Sequence, residues 1–176
     1  MYFNNETILY LDGKFVKATE STTDLYGQTL HYGYGAFEGI RSYETEHGTK
    51  VFKAEEHYER LKKSCELVKI PLDYTVQELV EATYELLEKN NLKNAYIRPL
   101  VYCAPNMSLT KPTSVSLMIA VWDWGAYLGE KLLRLTVSSY CRPHPKSIHI
   151  EAKICGHYVN SILATTEAKD KGFDEA

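Results

Sequence analysis

The chain has 176 residues, 44% of them hydrophobic and 24% charged, with a formal charge of -3. That is a globular composition, with room for one compact domain or a small domain plus part of another. No Lys/Arg cluster stands out, which argues against a nucleic-acid partner, and the longest apolar run, Leu117 to Trp122, is too short to span a bilayer.

The start, Met1-Tyr-Phe-Asn-Asn-Glu, has no basic region and no apolar stretch, so no secretory signal is expected. Cys65, Cys103, Cys141 and Cys155 lack metal spacing and read as reduced thiols of a cytoplasmic protein. The six histidines are dispersed, so no metal site is expected. A hydrolase nucleophile elbow is missing as well.

In chain order, Thr7 to Phe15 predicts a hairpin turning at Asp12-Gly13. Gln28 to Tyr43 is dense in glycine and aromatic residues. Gly33, Gly35 and Gly39 suggest close approach of backbone to another group, but no helix pattern follows, so they are not a dinucleotide fingerprint. From Phe37 the pattern alternates, with Phe37, Gly39, Arg41 and Tyr43 on one strand face and Glu38, Ile40 and Ser42 on the other. An arginine between aromatics can bind an anion; on this stretch alone it reads rather as a sheet-face side chain stacked on neighbouring rings with its tip exposed.

Lys50 to Phe52 closes a second hairpin. Ala54 to Val68 is helical, with Ala54, Tyr58, Leu61, Cys65 and Val68 as its apolar stripe and Pro71 as its stop. Arg60 lies off that stripe and is expected to pair with Glu56 on the surface. Thr75 and Glu78 form a capping box that opens a second helix, ended by Asn90-Asn91. Asn94 to Cys103 predicts a strand with Tyr96 and Arg98 on one face; Pro99 predicts an edge or a bulge. The two arginine-bearing strands together suggest a wall for a carboxylate, which a guanidinium fits. Val115 to Trp122 is a buried strand. The pattern breaks at Trp124 to Gly129, giving expected boundaries of 1–123 for a small domain, 124–131 for a connecting loop and 132–176 for the start of a second domain. There, Leu133 to Ser139 predicts a strand and His157 to Lys171 a helix, too little to bury a core of their own, so the chain is expected to be the front part of a longer protein.

Lys153 sits among small and apolar neighbours before Gly156 and the helix carrying Tyr158. Alone it reads as a strand-end lysine reaching for water. Sunk in an apolar pocket, an amine favours its neutral, nucleophilic form.

Four segments, His31 to Arg41, Ala95 to Leu100, Trp124 to Gly129 and Ala152 to Ser161, resemble the branched-chain amino-acid aminotransferases, fold-type IV enzymes that use pyridoxal 5'-phosphate. The resemblance runs from Ile8 to the last residue with its motifs in family order. It implies an α/β (α+β) fold: a small domain of mostly antiparallel sheet with two helices, then the start of a larger cofactor-binding domain. It implies Lys153 as the Schiff-base and proton-shuttling lysine, Tyr158 on the cofactor's phenolic oxygen and Arg60 on its phosphate. Tyr96 and Arg98 are implied for substrate carboxylates, with Phe37, Trp124 and Tyr127 as an apolar wall that Arg41 joins. Tyr32 is implied to reach a neighbouring subunit's site, hence a homodimer acting on small amino and 2-oxo acids. His157 and Cys155 depart from the usual pattern, and the acid that faces the pyridine nitrogen in that family lies beyond Ala176. A sibling activity, such as D-amino-acid aminotransferase or aminodeoxychorismate lyase, or an inert fragment, are the competing expectations.

Overall fold

The computed structural model describes residues 2–125 and 132–176. Two hairpins, two long strands and the short β3 build one seven-stranded antiparallel sheet. β1 (Ile8–Leu11) and β2 (Lys14–Lys17) form the predicted first hairpin, with Asp12 and Gly13 both at positive φ in its turn. The short helix α1 (Gln28–Tyr32) leads into β3 (Gly35–Phe37), and β4 (Ile40–Thr45) turns back into β5 (Gly48–Val51). After helices α2 (Ala54–Leu67) and α3 (Val76–Lys89) come β6 (Ala95–Cys103) and β7 (Val115–Trp122). The strand order is β2-β1-β7-β6-β4-β5, and β3 pairs with β6 beside β4.

The two helices cover one face of this sheet. Tyr58, Leu61 and Cys65 of α2 and Leu79, Leu86 and Leu87 of α3 are buried against Ile97, Val101, Leu117 and Ile119. Each fully buried aliphatic side chain contributes about 1.5–3 kcal/mol. The capping box of α3 forms as expected: the Glu78 N–H donates to Thr75 Oγ1, and Glu78 accepts from the Thr75 N–H.

Three expectations change. Pro99 lies in β6, an interior strand with neighbours on both sides, and not at an edge. On one side Pro99 stands opposite Ile119; on the other its carbonyl accepts from the Glu38 N–H at 3.0 Å, where the chain breaks between β3 and β4. The missing donor therefore meets an interruption in the ladder. Residues Leu133 to Ser139 do not form a strand; among the described residues there is one isolated parallel bridge, Leu135 to Glu175. Without a neighbouring strand to pair with, a β-rich segment has no ladder to join. Helix α1 joins the two predicted helices, capped by Gly33 in the left-handed region at φ 65.

The segment from Leu132 onward ends in helix α4 (Tyr158–Asp170), followed by Gly172 at φ 80. It meets the sheet through Ala152 and Ile154, both buried in the same core. Among the described residues, no helix is long and apolar enough to cross a membrane.

Candidate active site

Alternation along β6 decides which side chains can meet. Ala95, Ile97, Val101 and Cys103 point into the helix-covered core, so Tyr96, Arg98, Leu100 and Tyr102 point to the opposite face. The register places Arg41 and Trp122 on either side of Tyr96. The Tyr96 ring packs against Trp122 at 5.0 Å and Trp124 at 4.9 Å, and it fills the space a Cβ at Gly39 would need. Arg98 Nη2 donates to the Tyr96 hydroxyl at 2.8 Å, while its guanidinium lies 4.7 Å from the centre of the Phe37 ring. Arg98 Nε is buried without a hydrogen-bond partner among the described residues. An unmet buried donor costs roughly 1–3 kcal/mol, so this arginine is set to donate to a ligand oxygen.

Lys153 is held by the sheet unit more than by its own segment. Its N–H donates to Ser64 Oγ of α2 at 3.0 Å, and its carbonyl accepts from the Phe37 N–H at 3.1 Å. One residue on, Ile154 bridges to Ala36. At Gly156 the N–H donates to the Gly33 carbonyl at 2.9 Å, and a Cβ on Gly33 would come within 2.6 Å of the Gly156 Cα. Gly33 thus serves close backbone packing, while Gly156 sits in a short 3-10 turn, Cys155–His157. From this anchored backbone the half-buried Lys153 Nζ donates to the Tyr158 hydroxyl at 2.5 Å. The amine also sits 4.7 Å from the Phe37 ring centre, and the Tyr158 ring meets Phe37 edge-on at 4.8 Å. One phenylalanine therefore contacts the lysine, its phenol partner and the arginine.

Beside the lysine is a cleft of about 190 Å³ lined by Arg60, Arg142, Glu151, Lys153, His157 and Tyr158, among others. Arg60 does not pair with Glu56, which instead takes Lys53 at 3.2 Å. Arg60 reaches Glu38, giving Nε to Oε1 at 2.6 Å and Nη2 to Oε2 at 2.7 Å. A fixed two-pronged bond to a buried carboxylate outcompetes a flexible surface pair. Burial pushes the Glu38 carboxyl up, but hydrogen bonds from Arg60 and His57 and their charges outweigh it and hold it below the usual range. Burial pushes His157 towards its neutral form, while its Nδ1 lies 3.1 Å from the Ala152 carbonyl, which favours the charged one less strongly.

The structure thus gathers Lys153, Tyr158 and Arg60 at one cleft, with Phe37, Arg98 and Tyr96 adjoining. Arg41 donates to the Trp124 and Gly125 carbonyls, tying down the segment that sets Trp124 against Tyr96. Tyr32 stands apart: it is exposed, and its hydroxyl donates to the Met107 carbonyl at 3.0 Å. Tyr127 lies outside the described residues. Arg142 and Glu38 were not singled out from the sequence. Arg142 lies in an Arg-Pro-His-Pro stretch, whose prolines signal a stiff loop and nothing more. Glu38 carried one signal, a charged residue between two apolar-face positions.

An amine, a phenol and two guanidinium groups around one cleft fit a molecule bearing both an aldehyde and a phosphate, as pyridoxal phosphate does. Comparison with known proteins points the same way. The sequence profile of the amino-transferase class IV family matches residues 35–176. A branched-chain-amino-acid aminotransferase of Pseudomonas aeruginosa is 39% identical over 179 residues, covering 98% of this chain and 58% of that protein. The crystal structure of the Escherichia coli branched-chain amino acid aminotransferase superposes with a TM-score of 0.92 at 35% identity, over 96% of this chain and 58% of that one. The branched-chain amino acid aminotransferase of Thermobaculum terrenum, solved in its PLP-bound holo-form, gives a TM-score of 0.83 at 28% identity, over 97% of this chain and 57% of the other. The chain therefore spans somewhat over half the length of these relatives.

Proposed function

The chain belongs to the class IV aminotransferases, and from that premise we propose that it serves pyridoxal-phosphate-dependent transamination between branched-chain amino acids (leucine, isoleucine, valine) and 2-oxoglutarate. The observation that carries this reading is the shared Phe37 ring, which puts the Lys153–Tyr158 pair and Arg98 around one apolar surface.

Pyridoxal phosphate, when bound, supplies an aldehyde for the amino group and an electron sink that lets the substrate α-proton leave. The chain's own residues do the rest. Lys153 Nζ would take the α-proton and pass it on to the cofactor's side of the reacting centre, and the Tyr158 hydroxyl, 2.5 Å away, fixes the amine's direction. Arg60 and Arg142 supply positive charge at the cleft for the phosphate. Arg98 receives a carboxylate, with Tyr96 as the phenol that holds its Nη2. Phe37 and Trp124 wall off an apolar side-chain pocket, a role the family resemblance also implies for Tyr127, so one site takes leucine and glutamate in turn. Arg41 belongs to that wall through the Trp124 segment it secures.

We also infer two units, 1–123 and 132–176, joined by 124–131, in a cytoplasmic homodimer. Four free cysteines support a reducing compartment. The dimer reading is supported by Tyr32 and by Leu25, Leu30 and Leu109, which are all exposed. Beside them the face of the sheet away from α2 and α3 has an apolar hollow of about 400 Å³ lined by residues such as Leu9, Leu30, Leu100 and Met118.

The test is glutamate formation from leucine and 2-oxoglutarate with added pyridoxal phosphate. The expected result is turnover with leucine, little with D-alanine, and loss of turnover in Lys153→Ala. A preference for D-alanine, or equal turnover in Lys153→Ala, overturns the proposal.

A further inference from the structure

The Glu38 side chain is fully buried, yet none of the roles above uses it. It sits at the break between β3 and β4, on the sheet face that α2 covers, and α2 brings His57 and Arg60 to it. As a carboxylate it only accepts hydrogen bonds. Its acceptors are fully engaged: Arg60 Nε at 2.6 Å, Arg60 Nη2 at 2.7 Å, His57 Nδ1 at 2.9 Å and the Gly39 N–H at 3.3 Å. Because Glu38 cannot donate, the His57 proton on this side is on Nδ1. The Arg60 side chain, by contrast, is 53% exposed and lines the cleft beside Lys153 and Tyr158.

A half-exposed arginine samples many rotamers unless something holds it. Here a buried carboxylate takes two of its donors in one fixed fork, leaving Nη1 without a partner among the described residues. The surrounding sheet and helix hold the carboxylate itself. The energy of desolvating Glu38 is met once, when the chain folds, and not each time an anion enters the cleft.

We propose that Glu38 is a positioning residue: with His57 behind it, it clamps the Arg60 guanidinium so that its remaining donor edge is presented, ready-made, to a phosphate-bearing ligand beside Lys153. His57 is the second brace, since its Nδ1–H reaches the same oxygen, Oε2, that takes Arg60 Nη2. The clamp depends on the proposed function only for the identity of the ligand; its geometry stands without it.

Two readouts on the 176-residue chain keep those apart. The first needs no ligand: the rate at which phenylglyoxal modifies Arg60, followed by peptide mass spectrometry. Glu38→Gln keeps the shape and removes the charge, and it should speed modification by about tenfold, the equivalent of one charge-assisted hydrogen bond. Glu38→Asp should fall between. The second is pyridoxal phosphate affinity by absorbance titration. Glu38→Gln should weaken it by about tenfold in the wild-type background. In an Arg60→Ala background the same change should have little further effect. Circular dichroism at the assay temperature checks that each variant is folded.

Folded Glu38→Gln with an unchanged Arg60 modification rate overturns the clamp. Equal affinity losses in both backgrounds also overturn it, because a merely structural residue would act independently of Arg60. If the wild-type chain takes up no pyridoxal phosphate, the functional reading fails, and the modification rates alone decide on the clamp.

Discussion

The sheet unit up to β7 and the segment from Leu132 onward are built to different standards. In the first, Leu61, Leu79, Leu86, Ile97 and Ile119 are fully buried and α3 is capped at its start. In the second, Leu132 is 97% exposed, Val137 92% and Ile162 64%, while Ala168 is the one buried residue of α4. Yet Lys153 belongs to the second. What fixes it is the first: Ser64, Gly33, Ala36 and Phe37 hold its backbone, and Phe37 meets its side chain. A reactive side chain need not lie in the best-packed part of a chain, provided its backbone is pinned there.

The comparison can be broken from either side, and the largest effect is expected in the core. Leu61→Ala removes a fully buried side chain and should cost about 3 kcal/mol in urea unfolding. Val137→Ser, in the exposed segment, should stay within about 0.5 kcal/mol. Equal effects would show that the second region is as tightly packed as the first. Next comes the joint between them. Gly33→Ala puts a methyl 2.6 Å from the Gly156 Cα and requires a positive φ of an L side chain. It should cost about 2 kcal/mol and displace the Lys153 segment, read as a lost hydrogen-exchange protection at Gly156. A variant with native stability and native protection at Gly156 would mean that the two regions are not locked together there.

A smaller, pH-dependent effect concerns Glu38. Its folded pKa lies below its unfolded value, so the native state takes up this proton less readily than the unfolded chain. The stability it contributes is complete above the ordinary glutamate range and is lost as pH falls through the depressed folded value. In Glu38→Gln this contribution is absent at every pH. Denaturation curves of the two proteins should therefore converge in acid; parallel curves would contradict the assigned charge. The smallest effect tests the cap: Thr75→Ala should cost about 1 kcal/mol without altering any labelling of Lys153.

Local elements were legible in the sequence for local reasons. The Asp12-Gly13 hairpin, the stripe of α2 and the Thr75–Glu78 box each depend on residues a few positions apart. Resemblance supplied Lys153, Tyr158 and Arg60, and the structure brings these together at one cleft. Period-two alternation also places Tyr96 with Arg98, and Glu38 on the face opposite Arg41. What could not be read was long-range competition. Helical spacing favours Glu56 as the partner of Arg60, but only the fold reveals that Glu38 arrives with a better-organised carboxylate. The edge reading of Pro99 fails for the same reason. Its tolerance in β6 comes from the break opposite it, a property of the partner strands. The strand expected from Leu133 to Ser139 has residues of the right kind but, among the described residues, only Glu175 across from it.

One amine, Lys153, is set apart from the other lysines by its seat against Phe37 and Tyr158. Mixing the chain with pyridoxal phosphate, reducing with borohydride and mapping the stable adduct by mass spectrometry tests this directly. Adduct is expected chiefly on Lys153, and less of it in Tyr158→Phe. Label spread over exposed lysines such as Lys63 and Lys171, with Lys153 untouched, would contradict it.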